Sequence, residues 1–185
     1  ARFHFPPTPL AAANLGSEGI TGPDVFTSGN TIVDALRGIL RRNHARLDGP
    51  AAAAFDESRW LGSVLVTAHR RESWGRPMDE IASAIASAAE LFPLHAFLVP
   101  LHPNPIVRQS FADTQLPGNV VIVEPLPYPQ FVSALSRADL VVTSGGVSQG
   151  DFDVVKEALG QLGTVWFGGV AMQPGKPQGF GTVGE

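Results

Sequence analysis

The sequence predicts an α/β protein, a Rossmann-like three-layer sandwich in which helices cover both faces of a mostly parallel sheet. From residue 63 onward, short runs of β-branched and aliphatic residues alternate with helical segments of about 10–15 residues. Helices of that length between strands make crossover connections, whose strands run parallel. Each apolar run also ends in polar or turn-forming residues, as a strand does where a loop begins. The predicted strands are 63–68, 95–101, 119–124, 139–143 and 164–168, and the predicted helices are about 77–91, 104–113, 128–137 and 152–161.

The part of the chain before these strands carries weaker signals. Residues 1–24 are rich in Pro, Ala and Gly, and we interpret them as a leading segment packed on a neighbour. A short strand is predicted at 25–27. A helix is predicted from Thr31 to about Leu47, because apolar residues recur there at helical spacing. We interpret residues 1–185 as a single Rossmann-like domain.

The bulk composition argues against several classes of protein. The chain has 185 residues, of which 44% are apolar and 16% are charged, as in a globular protein of ordinary domain size. The net charge of −4 argues against broad nucleic-acid binding, and no apolar run approaches the ~20 residues that span a bilayer. With no cysteine and no signal-peptide pattern, we predict a cytoplasmic location. Because the chain lacks an initiator Met and ends without a closing helix, we expect a fragment of a longer protein.

Polar residues at the ends of the predicted strands indicate a ligand site. His69, Arg70 and Arg71 follow the first strand, His102 follows the second, and a Ser-Gly-Gly turn follows the fourth. The carboxyl ends of parallel strands share one edge of the sheet, where ligands of open α/β sheets bind. Two arginines and two histidines at that edge suit an anionic ligand such as a phosphate. The alternative is that the arginines belong to a solvated surface cluster and that His69 merely caps its strand.

The turn Ser144-Gly145-Gly146 predicts a seat for a diphosphate. Two glycines let the backbone approach a ligand, and the helix that follows directs free N–H groups and its positive dipole end at that ligand. The alternative is a plain strand-to-helix turn. Tyr128 and Phe131 are candidates for stacking on a base, unless they belong to the core.

Six short motifs occur between residues 3 and 140. They are His4-Phe-Pro-Pro-Thr8, Asn14-Leu-Gly-Ser-Glu-Gly-Ile20, Ser28-Gly-Asn-Thr-Ile-Val-Asp-Ala-Leu36, Thr67-Ala-His-Arg-Arg-Glu72, His102-Pro-Asn-Pro105, and Glu124-Pro-Leu126 followed by Tyr128 and Phe131. In this order and spacing they resemble the carboxyl-terminal half of the non-hydrolysing UDP-N-acetylglucosamine 2-epimerases.

This resemblance implies the carboxyl-terminal domain of the two-domain GT-B fold, with UDP bound in the cleft and His69 as a catalytic residue at the nucleotide-sugar pocket. The residues expected to bind the substrate are Arg70, Arg71, His102, Asn104, Tyr128, Phe131, Ser144, Gly145 and Gly146. The reaction of the family, elimination of UDP from the sugar and its re-addition with inverted C2, needs acid/base carboxylates that lie in an amino-terminal domain. We therefore expect half of a UDP-sugar cleft that is inactive alone. The expected partner is a UDP-sugar, with no cofactor, metal, nucleic acid or membrane, and with a homodimer or a missing amino-terminal domain completing the enzyme.

The resemblance changes after Thr143. Where the epimerases carry a ribose-binding Glu beyond their Ser-Gly-Gly turn, this chain has Gly150, or Asp151 if one residue is inserted. The segments that carry a different pattern are Ala138–Ser148, Gly150–Leu159 and Val170–Gly181, and they resemble the molybdopterin molybdenumtransferases. Residues 138–185 thus belong to a second resemblance.

The second resemblance implies an alternative site that binds molybdopterin and Mg²⁺. By position, the residues of that alternative site are Ser144, Asp151, Asp153 and Lys176. The chain therefore looks like two families joined near 138–146, at a strand and turn that both families possess. A folded but inert chimera is the third interpretation.

Overall fold

A computed structural model describes residues 1–29, 31–41, 46–68, 74–144, 164–171 and 177–182 of the chain. The helices are α1 (Pro9–Ser17), α2 (Thr31–Arg41), α3 (Gly49–Ala53), α4 (Arg76–Leu91), α5 (Pro105–Ala112) and α6 (Tyr128–Arg137). The strands are β1 (Gly62–Thr67), β2 (His95–Pro100), β3 (Val120–Val123), β4 (Leu140–Thr143), β5 (Val165–Gly169) and β6 (Pro177–Gly181). The predicted helix at 152–161 lies outside the described residues.

The chain divides into two compact units. One consists of Ala1–Asp48 and Leu126–Arg137, and the other of Gly49–Pro125 and Ala138–Glu185. The single domain that we expected over residues 1–185 stays a prediction.

The second unit is built on a four-stranded parallel sheet in the order β3-β2-β1-β4. Val64 of β1 pairs with Phe97 of β2 on one side and with Leu140 of β4 on the other. All four strands therefore end at the same edge, which we call the carboxyl edge. The predicted α/β class and mostly parallel sheet are confirmed, with the first four strands within two residues of their predicted bounds.

The core lies between this sheet and the helices that return across it. On α4, Met78, Ala82, Ile85 and Ala89 recur at helical spacing, and all four are buried. They belong to one cluster with β1 and β2 residues such as Val99. Consecutive residues in the middle of both strands are buried, so both faces of these strands are covered. The two strands are therefore continuous apolar runs rather than alternating ones.

One ion-dipole contact ties β4 to β1 at the opposite, amino edge of the sheet. The Asp139 Oδ2 atom accepts hydrogen bonds from the backbone N–H of Ser63 at 2.8 Å and from the Ser63 hydroxyl at 3.2 Å. In return, the backbone N–H of Asp139 donates to the Ser63 carbonyl at 3.0 Å. This reciprocal pairing fixes the alignment of β4 on β1.

The fifth predicted strand does not join the parallel sheet, so that part of the prediction is wrong. It forms β5, which pairs antiparallel with β6 in a separate two-stranded sheet. Glycines make this pairing compact, because the Trp166 ring lies where a side chain on Gly168 would stand, and the Phe167 ring does the same at Gly179 across the strands. Aromatic rings that cover strand glycines offset the missing side chains.

The first unit corrects three further expectations. Residues 9–17, interpreted as part of a leading segment, form a helix whose N-cap is Thr8, with the Thr8 hydroxyl accepting from Ala11 N–H at 3.1 Å. The strand predicted at 25–27 is reduced to an isolated parallel bridge between Val25 and His4. The helix predicted to reach Leu47 is described as α2 up to Arg41, and residues 42–45 lie outside the described residues. Residues 46–48 are not helical, so the helix does not reach Leu47.

Candidate ligand site at the carboxyl edge

The loop after β2 holds His102 in a fixed orientation. The His102 Nδ1 atom accepts a hydrogen bond from the backbone N–H of Asn104 at 3.1 Å. Asn104 is itself the N-cap of α5, because its Oδ1 atom accepts from the Ile106 N–H at 2.9 Å. Pro105 occupies the first helical turn, where its missing N–H costs nothing. The His-Pro-Asn-Pro sequence thus starts α5 and presents the half-buried imidazole at the carboxyl edge.

Ser144 lies at the end of β4, next to the end of β1. Its backbone N–H donates to the Thr67 carbonyl at 3.0 Å, which extends the β1–β4 pairing by one bond. The Ser144 hydroxyl oxygen is buried and has no hydrogen-bond partner in the described part of the chain. A buried hydroxyl without a partner is costly, and no described residue uses the hydrogen-bonding capacity of this one.

Trp74, at the start of α4, is a residue that the sequence reasoning missed. It packs against the core cluster and is half-buried, and its ring centroid lies 6.1 Å from that of His102, with the planes tilted by 47°. Its indole N–H is buried without an acceptor among the described residues. The only available signal was the position of a large aromatic residue in the turn between a predicted strand end and a predicted helix.

An exposed ion pair joins α5 to the end of β3. The Arg108 Nη2 atom lies 2.5 Å from the Glu124 Oε2 atom. This hydrogen bond lowers the pKa of the Glu124 carboxyl and raises the pKa of the Arg108 guanidinium. The Glu124 carboxylate, which follows β3, is therefore engaged by Arg108.

The pairing predicts the acid titration of Glu124. Arg108 lowers the pKa of Glu124 in the folded chain. The pair therefore stabilises the fold at pH values above the ordinary carboxyl pKa of 4.5, and this stabilisation is lost as the pH falls through the lower pKa of the folded state. An NMR titration of the Glu124 carboxyl carbon is expected to give a midpoint below 4.5, and Arg108→Gln is expected to move it upward. Arg76→Gln, which removes a separate exposed pair with Glu80, is the control. A midpoint that does not respond to Arg108→Gln would show that the pair does not persist in solution.

Several predicted site residues lie outside the described residues. They are His69, Arg70, Arg71, Gly145 and Gly146 of the nucleotide site and Asp151, Asp153 and Lys176 of the alternative site. Ala68, which follows β1 and is buried, adjoins His69, and Ser144 adjoins Gly145. Their roles stay predictions.

Tyr128 and Phe131 lie on α6, in the first unit. Tyr128 is 43% exposed and Phe131 is half-buried, so the Tyr128 ring is not a core residue. Their stacking on a base stays a prediction.

In the described ranges, no three His, Asp or Glu side chains come together as they would around a metal ion. None of the helices in those same ranges is both long and apolar enough to cross a membrane.

The four-stranded parallel sheet, with helices between its strands and polar loops at its carboxyl edge, defines a Rossmann-like α/β fold. The family model described as UDP-N-acetylglucosamine 2-epimerase matches residues 1–150. The chain therefore belongs to the UDP-N-acetylglucosamine 2-epimerase family.

Curated relatives support this membership. The chain is 34% identical over 156 residues to the UDP-N-acetylglucosamine 2-epimerase of Neisseria meningitidis serogroup A, covering 80% of this chain and 41% of the relative. The corresponding enzymes of Escherichia coli K12 and Bacillus subtilis are 34% and 33% identical over 158 and 154 residues, with 80% of this chain covered in each case and 41% and 38% of the relative. The chain thus spans about 40% of the length of the curated relatives it matches.

Solved structures show the same fold. The N. meningitidis enzyme bound to UDP-GlcNAc superimposes with a TM-score of 0.60 at 30% identity, covering 79% of this chain and 40% of that structure. The S. aureus MnaA–UDP structure gives a TM-score of 0.62 at 29% identity, with 79% and 39% covered. The expected relation to the GT-B fold is confirmed.

A second family model, described as "Probable molybdopterin binding domain", matches residues 127–185. It overlaps the epimerase match over residues 127–150. The overlap contains the join that the sequence analysis placed near 138–146, so the double resemblance is confirmed.

Proposed function

We propose that this chain is the UDP-sugar-binding half of a UDP-N-acetylglucosamine 2-epimerase, which interconverts UDP-GlcNAc and UDP-ManNAc only when the enzyme is complete. The observation that carries the proposal is the common carboxyl edge of β2, β1 and β4. His102 follows β2 and Ser144 follows β4, and both strands flank β1. The solved relatives include structures bound to UDP-GlcNAc and to UDP.

The proposed roles follow the chemistry of each group. His69 acts on the sugar as the catalytic residue, while Arg70 and Arg71 bind phosphate oxygens through charge-assisted hydrogen bonds. Ser144, Gly145 and Gly146 seat the diphosphate.

His102 and Asn104 lie beside the substrate at the start of α5. For Tyr128 and Phe131, on α6 of the first unit, the proposed role is stacking on a base. The buried Ser144 hydroxyl supports a ligand at this edge because it otherwise lacks an acceptor or donor among the described residues.

Binding without turnover is the expected behaviour of the chain alone. The resemblance implies that the acid/base carboxylates for proton exchange at C2 lie in an amino-terminal domain, and this chain spans about 40% of its relatives. An amino-terminal domain or a second copy is the proposed complement. The cytoplasmic location and the absence of nucleic-acid partners stay predictions.

Isothermal titration with UDP tests the proposal directly. We expect the full chain to bind UDP and His69→Ala to lose that binding, because the residue lies in the nucleotide-sugar pocket. His4→Ala removes an imidazole that has no proposed contact with the ligand and is expected to bind as the parent chain does. No heat from UDP with the parent chain, while circular dichroism shows a folded α/β protein, would contradict the nucleotide assignment and favour the inert chimera.

The molybdopterin site is a second candidate, and the match of residues 127–185 to the molybdopterin-binding model is its only support. It involves Ser144, Asp151, Asp153 and Lys176, with Mg²⁺ at the acidic residues. Titration with molybdopterin separates the two candidates. Binding that is weakened by Asp153→Ala, with no heat from UDP, would favour the second.

A further inference from the structure

The hydrogen bond to His102 determines which of its ring nitrogens carries the proton. A backbone N–H group can only donate, so the Nδ1 atom that faces the Asn104 N–H at 3.1 Å is an acceptor and carries no proton. In a neutral imidazole the proton then resides on Nε2. We propose that His102 contacts the nucleoside diphosphate as an Nε2–H hydrogen-bond donor, and that Trp74 is the positioning residue that holds its ring. This inference rests on the proposed function and adds the proton state and the supporting side chain.

Two elements of the fold hold the donor atom of this bond in place. The Asn104 side chain caps α5 through the Ile106 N–H, and Pro105 fixes the backbone just after it. The Asn104 N–H therefore cannot turn away from the imidazole without breaking the helix cap.

Trp74 provides the second constraint on the ring. Its indole packs on the core cluster and faces the imidazole at 6.1 Å with a 47° tilt. Aromatic rings at this separation interact favourably. The indole N–H has no acceptor among the described residues, so the contribution of Trp74 to the pair comes from its ring surface. A ring held by a hydrogen bond at one atom and by an aromatic wall on another side has little freedom to rotate.

The proton state limits what His102 can do chemically. The Nδ1 lone pair is engaged by Asn104, and Nε2 presents a proton, so neither nitrogen is available as a base. Phosphate and sugar oxygens accept hydrogen bonds, which is what an Nε2–H donor requires. His102 therefore orients the ligand, and proton transfer at the sugar belongs to other groups.

The test is a long-range ¹H–¹⁵N correlation spectrum of the full chain labelled at histidine. The chain has five histidines, and the signals of His102 are those that disappear in His102→Gln. We expect a protonated, pyrrole-type Nε2 and an unprotonated, pyridine-type Nδ1 at neutral pH. The opposite tautomer, or an even mixture of the two, would overturn the inference.

Two Trp74 variants separate positioning from mere packing. Trp74→Phe keeps an aromatic wall and is expected to preserve the tautomer pattern, whereas Trp74→Ala removes the wall and is expected to give a mixture of tautomers. If the spectrum of His102 is the same in Trp74→Ala as in the parent chain, Trp74 does not position the ring. A Trp74→Phe spectrum that matches Trp74→Ala would equally contradict the role of the ring surface.

Addition of UDP then tests the donor role. The His102 Nε2 proton is expected to shift on binding, and His102→Gln is expected to weaken UDP binding about 2- to 13-fold, the range for one neutral hydrogen bond. If UDP binds with measurable heat while the Nε2 proton does not shift, the donor role is wrong and the proposed function stands. If UDP does not bind, the proposed function and the donor role fail together, while the tautomer is decided by the spectrum of the free chain.

Discussion

Replacement of Arg70 and Arg71 by alanine is expected to weaken UDP binding by about 13- to 160-fold for each charged hydrogen bond that is lost. A guanidinium binds phosphate oxygens with two parallel N–H groups, which an alanine cannot replace. Isothermal titration of the single and double variants with UDP measures the loss. The binding of the parent chain is also expected to weaken as salt is raised, because part of the attraction is between charges.

A matched variant separates the site from net charge. Arg59→Ala removes the same charge from the same unit, and Arg59 stacks on Trp60 before β1, at a ring distance of 4.6 Å, away from the carboxyl ends of the strands. Its affinity for UDP is expected to match that of the parent chain. Equal affinities of the Arg70/Arg71 double variant and the parent would rule out their phosphate role.

Asn119→Ala is expected to lower the free energy of unfolding by about 2–4 kcal/mol. The Asn119 side chain is buried, and its Nδ2 group donates to the carbonyls of Ala89, Phe92 and His95 at 3.0, 3.1 and 2.9 Å. It thereby joins the end of α4 to the start of β2. Its removal takes one donor from each of these carbonyls, of which Phe92 keeps the His95 N–H at 3.0 Å. Urea denaturation measures the cost.

A comparison of two replacements of Asn119 tests whether its side-chain amide acts as a donor. Asn119→Asp has nearly the same shape but turns a carboxylate oxygen toward three carbonyl oxygens, so it is expected to destabilise more than Asn119→Ala. Asn14→Ala, at an exposed position of α1, is the control and is expected to stay within about 0.5 kcal/mol of the parent. An Asn119→Asp protein as stable as the alanine variant would show that the amide does not act as a donor there.

The parallel sheet and its helices could be predicted because their signals are local. The apolar run at 63–68 became β1 (Gly62–Thr67), and the helix predicted at 128–137 coincides with α6. The helix α1 could also have been predicted from local signals, since Thr8 is a good N-cap and Pro9 suits the first turn. The high content of Pro, Ala and Gly obscured these two signals.

Features that depend on distant partners could not be predicted. β5 pairs with β6, whose Pro-Gln-Gly-Phe-Gly sequence has no alternating apolar pattern, so nothing local indicated an antiparallel pair. Trp74 and His102 meet only because α4 and α5 both begin at the carboxyl edge. The sequence could place His102 at that edge, but its tautomer depends on one backbone N–H two residues away.

The reciprocal bonds between Asp139 and Ser63 have a consequence for how such a gene can arise. A strand that slips by one residue turns every side chain to the wrong face. The register of β4 on β1 is set by the hydrogen bonds of Asp139, the residue immediately before β4. Both family models include this residue. A recombination breakpoint just beyond Asp139 would exchange all the downstream coding sequence and keep the register of β4 on β1. This strand is therefore a suitable junction between two unrelated genes.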